Sequence, residues 1–576
     1  MELPADLRDV VAEVLSQVPR LIALQDRDPD SPMRGCMHPA YWRDKSSDVA
    51  DMRRQEAGLA FAWAWKHPFP DNRWQGDATV LHAALRALGF WTRQQHPDGT
   101  FDEWYKNEHG YATTAFSSYA MSLAVEALGD ALADPLRGAV LGALSKCGRW
   151  LESHDDWFKT NHQAVGVAAL GAIGRVTNDE SLLAAARRNA RAIVDRMHDE
   201  GWSREISGLD VGYTFLLAEY LAMHAVLTGE RDFLPDIARA YRFAAWFLHP
   251  DLTTGAEYGI CGNPYFSRVA ATALAPHDGI AAATVSWMGR PSDGPRDTSS
   301  TLKDDLRLAR YAYQPLLAAL LHSGTLARED LDAAGPDAET LFFEREHGEQ
   351  WFPEAKLLAV ARPAYCAWVA PCHGGVVRVA FRNADGFHPA FVDRGYALDH
   401  RGRTYRNAHY GLDVDATFEG GVLTTHAPLV RCGFVMPPYW ARVGLRIATS
   451  LPAGHRWSRW LIDQWRRRKG TALNQSAAGV ASGKSPFTLR REVRFLDDRV
   501  RIDDVVSARN GILDRESIHL VVRTPLRLVG GMPDPDGRLK AQETVSTASP
   551  EALHASREIA LVSGSVVSLG TAPERT

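Results

Sequence analysis

Cysteine is scarce and follows no pairing pattern. Its six residues stand at 36, 147, 261, 366, 372 and 432 with no CxxC spacing. That is too sparse for a disulfide scaffold and makes a reduced cytoplasm the expected location. No run approaches 18 apolar residues, so no membrane-spanning helix is expected. The first residues, MELPADLRDVVAEVLSQVPRLIAL, read as an amphipathic helix without the basic and apolar regions of a secretion signal. Charge of one sign is also missing. The chain has 65 Lys+Arg against 70 Asp+Glu and a formal net charge of −5. That balance argues against a nucleic-acid partner, which would leave a strongly basic footprint.

What the chain has is length, apolar content and tryptophan. Its 576 residues are 45% hydrophobic and 23% charged, the composition of a globular protein of two or three domains. Many of the 17 Trp lie beside Gly, Asp and Pro, a placement that suits a carbohydrate-facing surface.

Two halves of different texture follow. From 1 to about 335, apolar residues recur at helical spacing in Ala- and Leu-rich segments at 77–95, 111–130, 135–154 and 180–200. Between the helices fall the loops HPDGTFDEWY (96–105), HDDWFKTNH (154–162), DEGWSREISG (199–208) and HPDLTTGAEYG (249–259). Their spacing is that of helical hairpins, and repeated hairpins of this size predict an (α/α) toroid with the loops gathered on one rim. Segments at 364–383, 487–508 and 517–531 instead alternate apolar and polar, which predicts an antiparallel β-sandwich over 363–576. The stretch 336–362 reads as the linker, 471–486 as a mobile loop, and the last residues, APERT, as a frayed end.

Chemistry concentrates in two helix starts. Asn161 and His162 open the apolar segment 160–174, where free N–H groups and the helix dipole favour an anion. Asn161 also suits a plain N-cap. Tyr213 heads the next such helix, 52 residues on, after a Gly-containing loop. These pieces resemble the heparinase II/III-like and alginate-lyase-like polysaccharide lyases. WSREISGLDVGYTF (202–215) is similar to their aromatic, Gly-rich loop with its catalytic Tyr. GAEYGICGNPYF (255–266) is similar to a further stretch, except that Cys261 and Gly262 stand where Arg-Asn would be. The opening segment 34–63 is also similar to that of these relatives.

The resemblance implies β-elimination on a uronic-acid-containing glycan. In that reaction a carboxylate is neutralised, a base removes the C5 proton, and an acid protonates the leaving oxygen. Carried over, Asn161 binds the carboxylate, His162 assists as neutraliser or base, and Tyr213 is the acid and also a candidate base. A Tyr base would need nearby positive charge, for which Arg204 and Lys159 are sequence-near. His409, in TYRNAHYGLDV (404–414), completes the set in preference to His426. Expected substrate contacts are Trp104, Tyr105, Asn107, Glu108, Trp157, Arg204, Glu205 and Tyr258. No cofactor is predicted. Some such lyases hold a structural divalent metal in the sandwich, and His373, His388, Asp393, Asp399, His400 and Asp415 share that region, but no pair has a specific ligand spacing.

Two other readings compete on the residues alone. A glycoside hydrolase would use two of the rim carboxylates Asp102, Glu103, Asp155, Asp156, Glu205, Asp210 and Glu257. A glycan-binding protein on the same fold would need none of them for chemistry.

Overall fold

The structure is a computed structural model. It describes residues 1–290, 304–326, 336–383, 386–387, 391–432, 439–451, 485–509, 518–523, 552–562 and a few positions between and beyond these. The loop expected over 471–486 lies almost wholly outside the described residues, as do the final five positions.

The first half is helical and its helices come in two kinds. Tyr111–Leu128, Thr160–Thr177 and Val211–Thr228 are buried on nearly every side, the mark of helices enclosed by others. Ala78–Arg93, Glu180–Val194 and Leu234–Ala245 bury one stripe and face solvent with the other. Their starts follow from capping. Asp77 accepts from the N–H groups of Thr79 and Val80, Asp179 from Ser181, and Asp210 from Tyr213. The enclosed helices pack in series: Ala57–Lys66 on Tyr111–Leu128, then Thr160–Thr177, Val211–Thr228, Arg268–Leu274 and Tyr313–His322. The last of these packs back on Ala57–Lys66, where the rings of Trp63 and Tyr313 meet edge-on at 6.3 Å.

One expectation is corrected here. Val211–Thr228 does have the length and apolar character of a membrane span, but 83% of it is buried inside the helical half. It carries Glu219, whose carboxylate accepts from Tyr265, Ser267 and Gln314.

The second half holds two sheets, paired antiparallel throughout the described strands. Leu358, Val360, Val377 and Val379 of one sheet share an apolar cluster with Leu423, Val493, Val500 and Ile502 of the other. Arg491 pins the two together. Fully buried, it bonds Asp504 at 2.8 Å on the neighbouring strand and Asp393 at 3.1 Å in the facing sheet.

The sheet also begins earlier than expected. Gly348–Phe352 and Leu357–Arg362 are paired strands inside the stretch read as a linker. Leu358 and Val360 face the sheet-to-sheet cluster, while Leu357, Ala359 and Ala361 face the helical core. Burial on both faces removes the alternation that marks a strand in sequence.

The halves are bound by specific polar contacts. Trp368 Nε1 donates to the Trp246 carbonyl at 2.9 Å, and Arg378 pairs with buried Glu257 at 2.7 Å. The Tyr410 hydroxyl accepts the Leu209 N–H at 2.8 Å.

Candidate active site

Three of the expected rim loops are zipped together by backbone bridges: Lys159 to Glu205, Glu205 to Gly208, and Asp210 to Gly259. Ile206 N–H donates to the Phe158 carbonyl at 2.7 Å, and Ile260 N–H to Leu209 at 2.8 Å. Ile206 holds φ 62°, a strained setting for a β-branched residue that costs of order 1–3 kcal/mol. The neighbouring Glu205 is thereby held inward.

Glu205 and Asn161 form the centre. The Asn161 backbone N–H donates to Glu205 Oε1 at 2.7 Å and its side-chain amide to Oε2 at 2.6 Å, with both residues 1% exposed. Burial pushes the Glu205 carboxyl up to about 8, against the pull of those two donors. Asp210 is buried beside it and pushed up to about 7, although the N–H groups of Tyr213 and Cys261 both donate to it.

His162 is oriented by a partner. Its Nδ1 lies 2.8 Å from Asp156 Oδ2, which fixes the proton on Nδ1 and leaves the Nε2 lone pair available. Desolvation lowers its pKa, so the ring is neutral at neutral pH. The Tyr213 phenol moves the other way. Burial raises it, followed by the fields of Cys261, Asp210, Glu205 and Tyr311, so it holds its proton. Neither Lys159 nor Arg204 reverses that shift, and the Arg204 side chain is solvent-exposed.

Asn161, Glu205 and Tyr213 therefore share one electrostatic cluster, with His162 next in the chain. His409 arrives differently. Its loop docks through Tyr410, which sits directly on Gly208 and Leu209. The His409 imidazole is pushed down to about 4 by burial and stands within electrostatic reach of His373.

The expected substrate contacts divide. Trp104 is 68% exposed, with the Arg310 guanidinium 5.9 Å from its ring, and Tyr105 is half-buried with Arg446 at the same distance. Trp157 is half-buried under Arg196. Four others have partners within the fold. Glu108 folds back to accept the N–H groups of Glu103 and Trp104, Asn107 donates to the Thr449 carbonyl, and Glu205 is consumed by Asn161. Tyr258 is 1% exposed and bonds His249 at 3.0 Å.

Of the six residues considered for a sandwich metal, His388 lies outside the described residues. Asp393 bonds Arg491, and Asp415 lies 3.4 Å from His426. No metal-ligating group of three forms among the described residues.

Sequence reasoning missed Tyr311 and Arg310, which approach Tyr213 and Trp104 from the helix Asp305–Tyr311. Nothing in ARYAYQP separates them from ordinary helix residues. It also missed Asp156 as the partner of His162, although their spacing of six across a loop-to-helix turn was in view.

No protein-family profile matches the chain, and no curated protein matches it by sequence. Solved structures do. The chondroitin AC lyase of Streptomyces coelicolor A3, in complex with chondroitin sulphate, aligns with a TM-score of 0.51 at 13% identity, over 90% of this chain and 68% of the other. A Paenibacillus xanthan lyase aligns at 0.52 and 12% identity, over 96% of this chain. The chain shares the fold of these two lyases. This chain spans about half the length of the xanthan lyase, 51%.

Proposed function

We propose that the protein is a lyase that cleaves a uronate-containing glycan by β-elimination, at the rim of a helical toroid. The return of the enclosed helices to Ala57–Lys66 supports the toroid. The reading rests on a neutral, oriented imidazole at His162, next in the chain to Asn161, and on a protonated phenol at Tyr213, which lies in the electrostatic field of the Glu205 bonded by Asn161.

In this reading, the uronate carboxylate is received beside Asn161, whose backbone N–H and one amide hydrogen are held by the neutral Glu205. The positive end of the Asn161 helix stabilises the charge that develops there. His162 Nε2 takes the C5 proton. The electron pair becomes the C4–C5 double bond, the C4–O bond breaks, and Tyr213 gives its proton to the departing oxygen. The raised phenol pKa suits an acid and disfavours a base, so the two roles fall to different residues. Trp104 offers its exposed face to a sugar ring.

Hydrolysis has less support, because the rim carboxylates are engaged elsewhere. Asp102 accepts three backbone N–H groups and lies 2.9 Å from His96, Glu103 pairs with Arg310, and Glu257 pairs with Arg378.

The test is near-ultraviolet absorbance on a panel of uronate-containing glycans, run beside a reducing-end assay. Elimination gives absorbance that Tyr213→Phe lowers by about 10²–10⁴-fold, the usual worth of a general acid. New reducing ends without absorbance would establish a hydrolase. Binding without either product would establish a glycan-binding protein.

A further inference from the structure

The outer face of the helical half carries a concentration of positive charge that the reaction does not use. On the helix Ala78–Arg93, His82, Arg86, Gly89 and Arg93 follow at intervals of four, three and four residues, so they line one stripe. Arg34 closes one side of this stripe and Leu136 the other. Together with Leu85 they line a cavity of about 400 Å³.

The cavity's charge is unbalanced. Arg86 Nε donates to the Gln25 side-chain oxygen at 2.9 Å, and Arg93 Nη2 to the Arg34 carbonyl at 2.6 Å. Both acceptors are neutral. No Asp or Glu lines the cavity, and among the described residues none pairs with Arg34, Arg86 or Arg93. Burial, and then the repulsion of Arg34 and Arg27, lowers the Arg86 pKa. Guanidinium groups elsewhere in the chain mostly meet carboxylates, as Arg53, Arg310, Arg378 and Arg491 do. Three guanidinium groups around one hollow that no carboxylate lines favour an oxyanion there.

Gly89 keeps the hollow open. A Cβ there would meet only the Arg93 guanidinium at 3.5 Å and Leu136 at 3.8 Å. Alanine would raise helix propensity at this position, so glycine costs helix stability while leaving room beneath the guanidinium groups.

We propose that Arg34, Arg86 and Arg93 form a binding site for a sulfate or phosphate ester carried on a sugar-sized molecule, separate from the candidate active site. Guanidinium forks suit an oxyanion with several oxygens, and Leu85 and Leu136 give the carrier an apolar wall. The size is within the usual range of small-molecule pockets, roughly 300–1,000 Å³. The site does not depend on the nature of the reaction.

The test is isothermal calorimetry at low ionic strength with four probes: inorganic sulfate, inorganic phosphate, a sulfated disaccharide and a hexose phosphate. Variants are Arg34→Gln, Arg93→Gln and Gly89→Met, each checked for an unchanged melting temperature. The expected result is saturable binding of at least one ester, weakened about tenfold by each Arg→Gln change. Gly89→Met keeps every charge and fills the hollow, so it abolishes ester binding. The sulfated and phosphorylated probes distinguish the two sources of the oxyanion. Ester binding that survives Gly89→Met, or no binding by any probe, overturns the proposal.

Discussion

His162 is the residue at which protonation state and activity meet. Its pKa is lowered by burial, while the bonded Asp156 opposes that shift. As the base it must be neutral, so activity is lost as pH falls through its pKa. The acid limb of the kcat/KM profile is expected to have its midpoint below the ordinary histidine value of about 6.5. Asp156→Asn removes the opposing charge, moves that midpoint lower still, and reduces the plateau because the ring loses its orienting partner. Profiles measured side by side decide this, and a limb that does not move with Asp156→Asn would remove Asp156 from the role. At this scale the sequence was partly legible. Asn161, His162 and Tyr213 stood out as polar residues at apolar helix starts. Tyr258 had the same loop flavour, yet it is enclosed through His249, which itself packs on Trp368 more than a hundred residues further along the chain. No local pattern carries that information.

At the scale of elements, the site depends on close backbone approach. A Cβ on Gly212 would stand 2.0 Å from the Asn263 carbonyl oxygen, a backbone atom that cannot swing aside. Gly212→Ala is therefore expected to cost about 1–3 kcal/mol as overpacking and to displace the Asp210–Tyr213 turn. Denaturant unfolding would register the first effect and kcat the second. Unchanged values for both would mean that the Asn263 loop yields freely. In the β half, Arg491→Met would leave Asp393 and Asp504 buried without their shared cation, a loss of about 3–5 kcal/mol. Replacing all three by apolar residues is expected to recover most of it, which distinguishes stranded charge from lost packing. The same scale explains what the sequence revealed of the fold. Helices with one solvated face and strands such as Phe487–Phe495 announced their period. Leu357–Arg362, enclosed on both sides, did not, and its uniform apolar run passed for a linker.

For the whole molecule, the buried titratable groups set opposing limbs of stability. Burial raises Glu56, Asp210 and Glu219 to about 7 and Glu205 to about 8, from unfolded values of about 4. A carboxyl raised in this way contributes stability that is complete below its unfolded pKa and is lost as pH rises through the folded one. His373 and His409, pushed down to about 4, and His249, well below its ordinary value, do the reverse: their contribution is present above about 6.5 and is lost as pH falls. Between about pH 4 and 6.5 the two groups oppose each other. Above 6.5 the histidines are neutral in both states and only the carboxyls remain in play. The melting temperature is therefore expected to change little from about pH 5 to 6.5 and to fall from 6.5 to about 7 as Glu56, Asp210 and Glu219 ionise. It then falls less steeply to about 8 through Glu205 alone and levels above it. Each carboxyl contributes at most ~1.4 kcal/mol per pH unit while it titrates. Glu205→Gln and Glu219→Gln should each make that fall shallower. A melting temperature that stays level to pH 8.5 would mean that these carboxyls are already ionised in the folded protein. The neutral Glu205 beside Asn161, which leaves the site open to an anionic substrate at neutral pH, would then have to be abandoned.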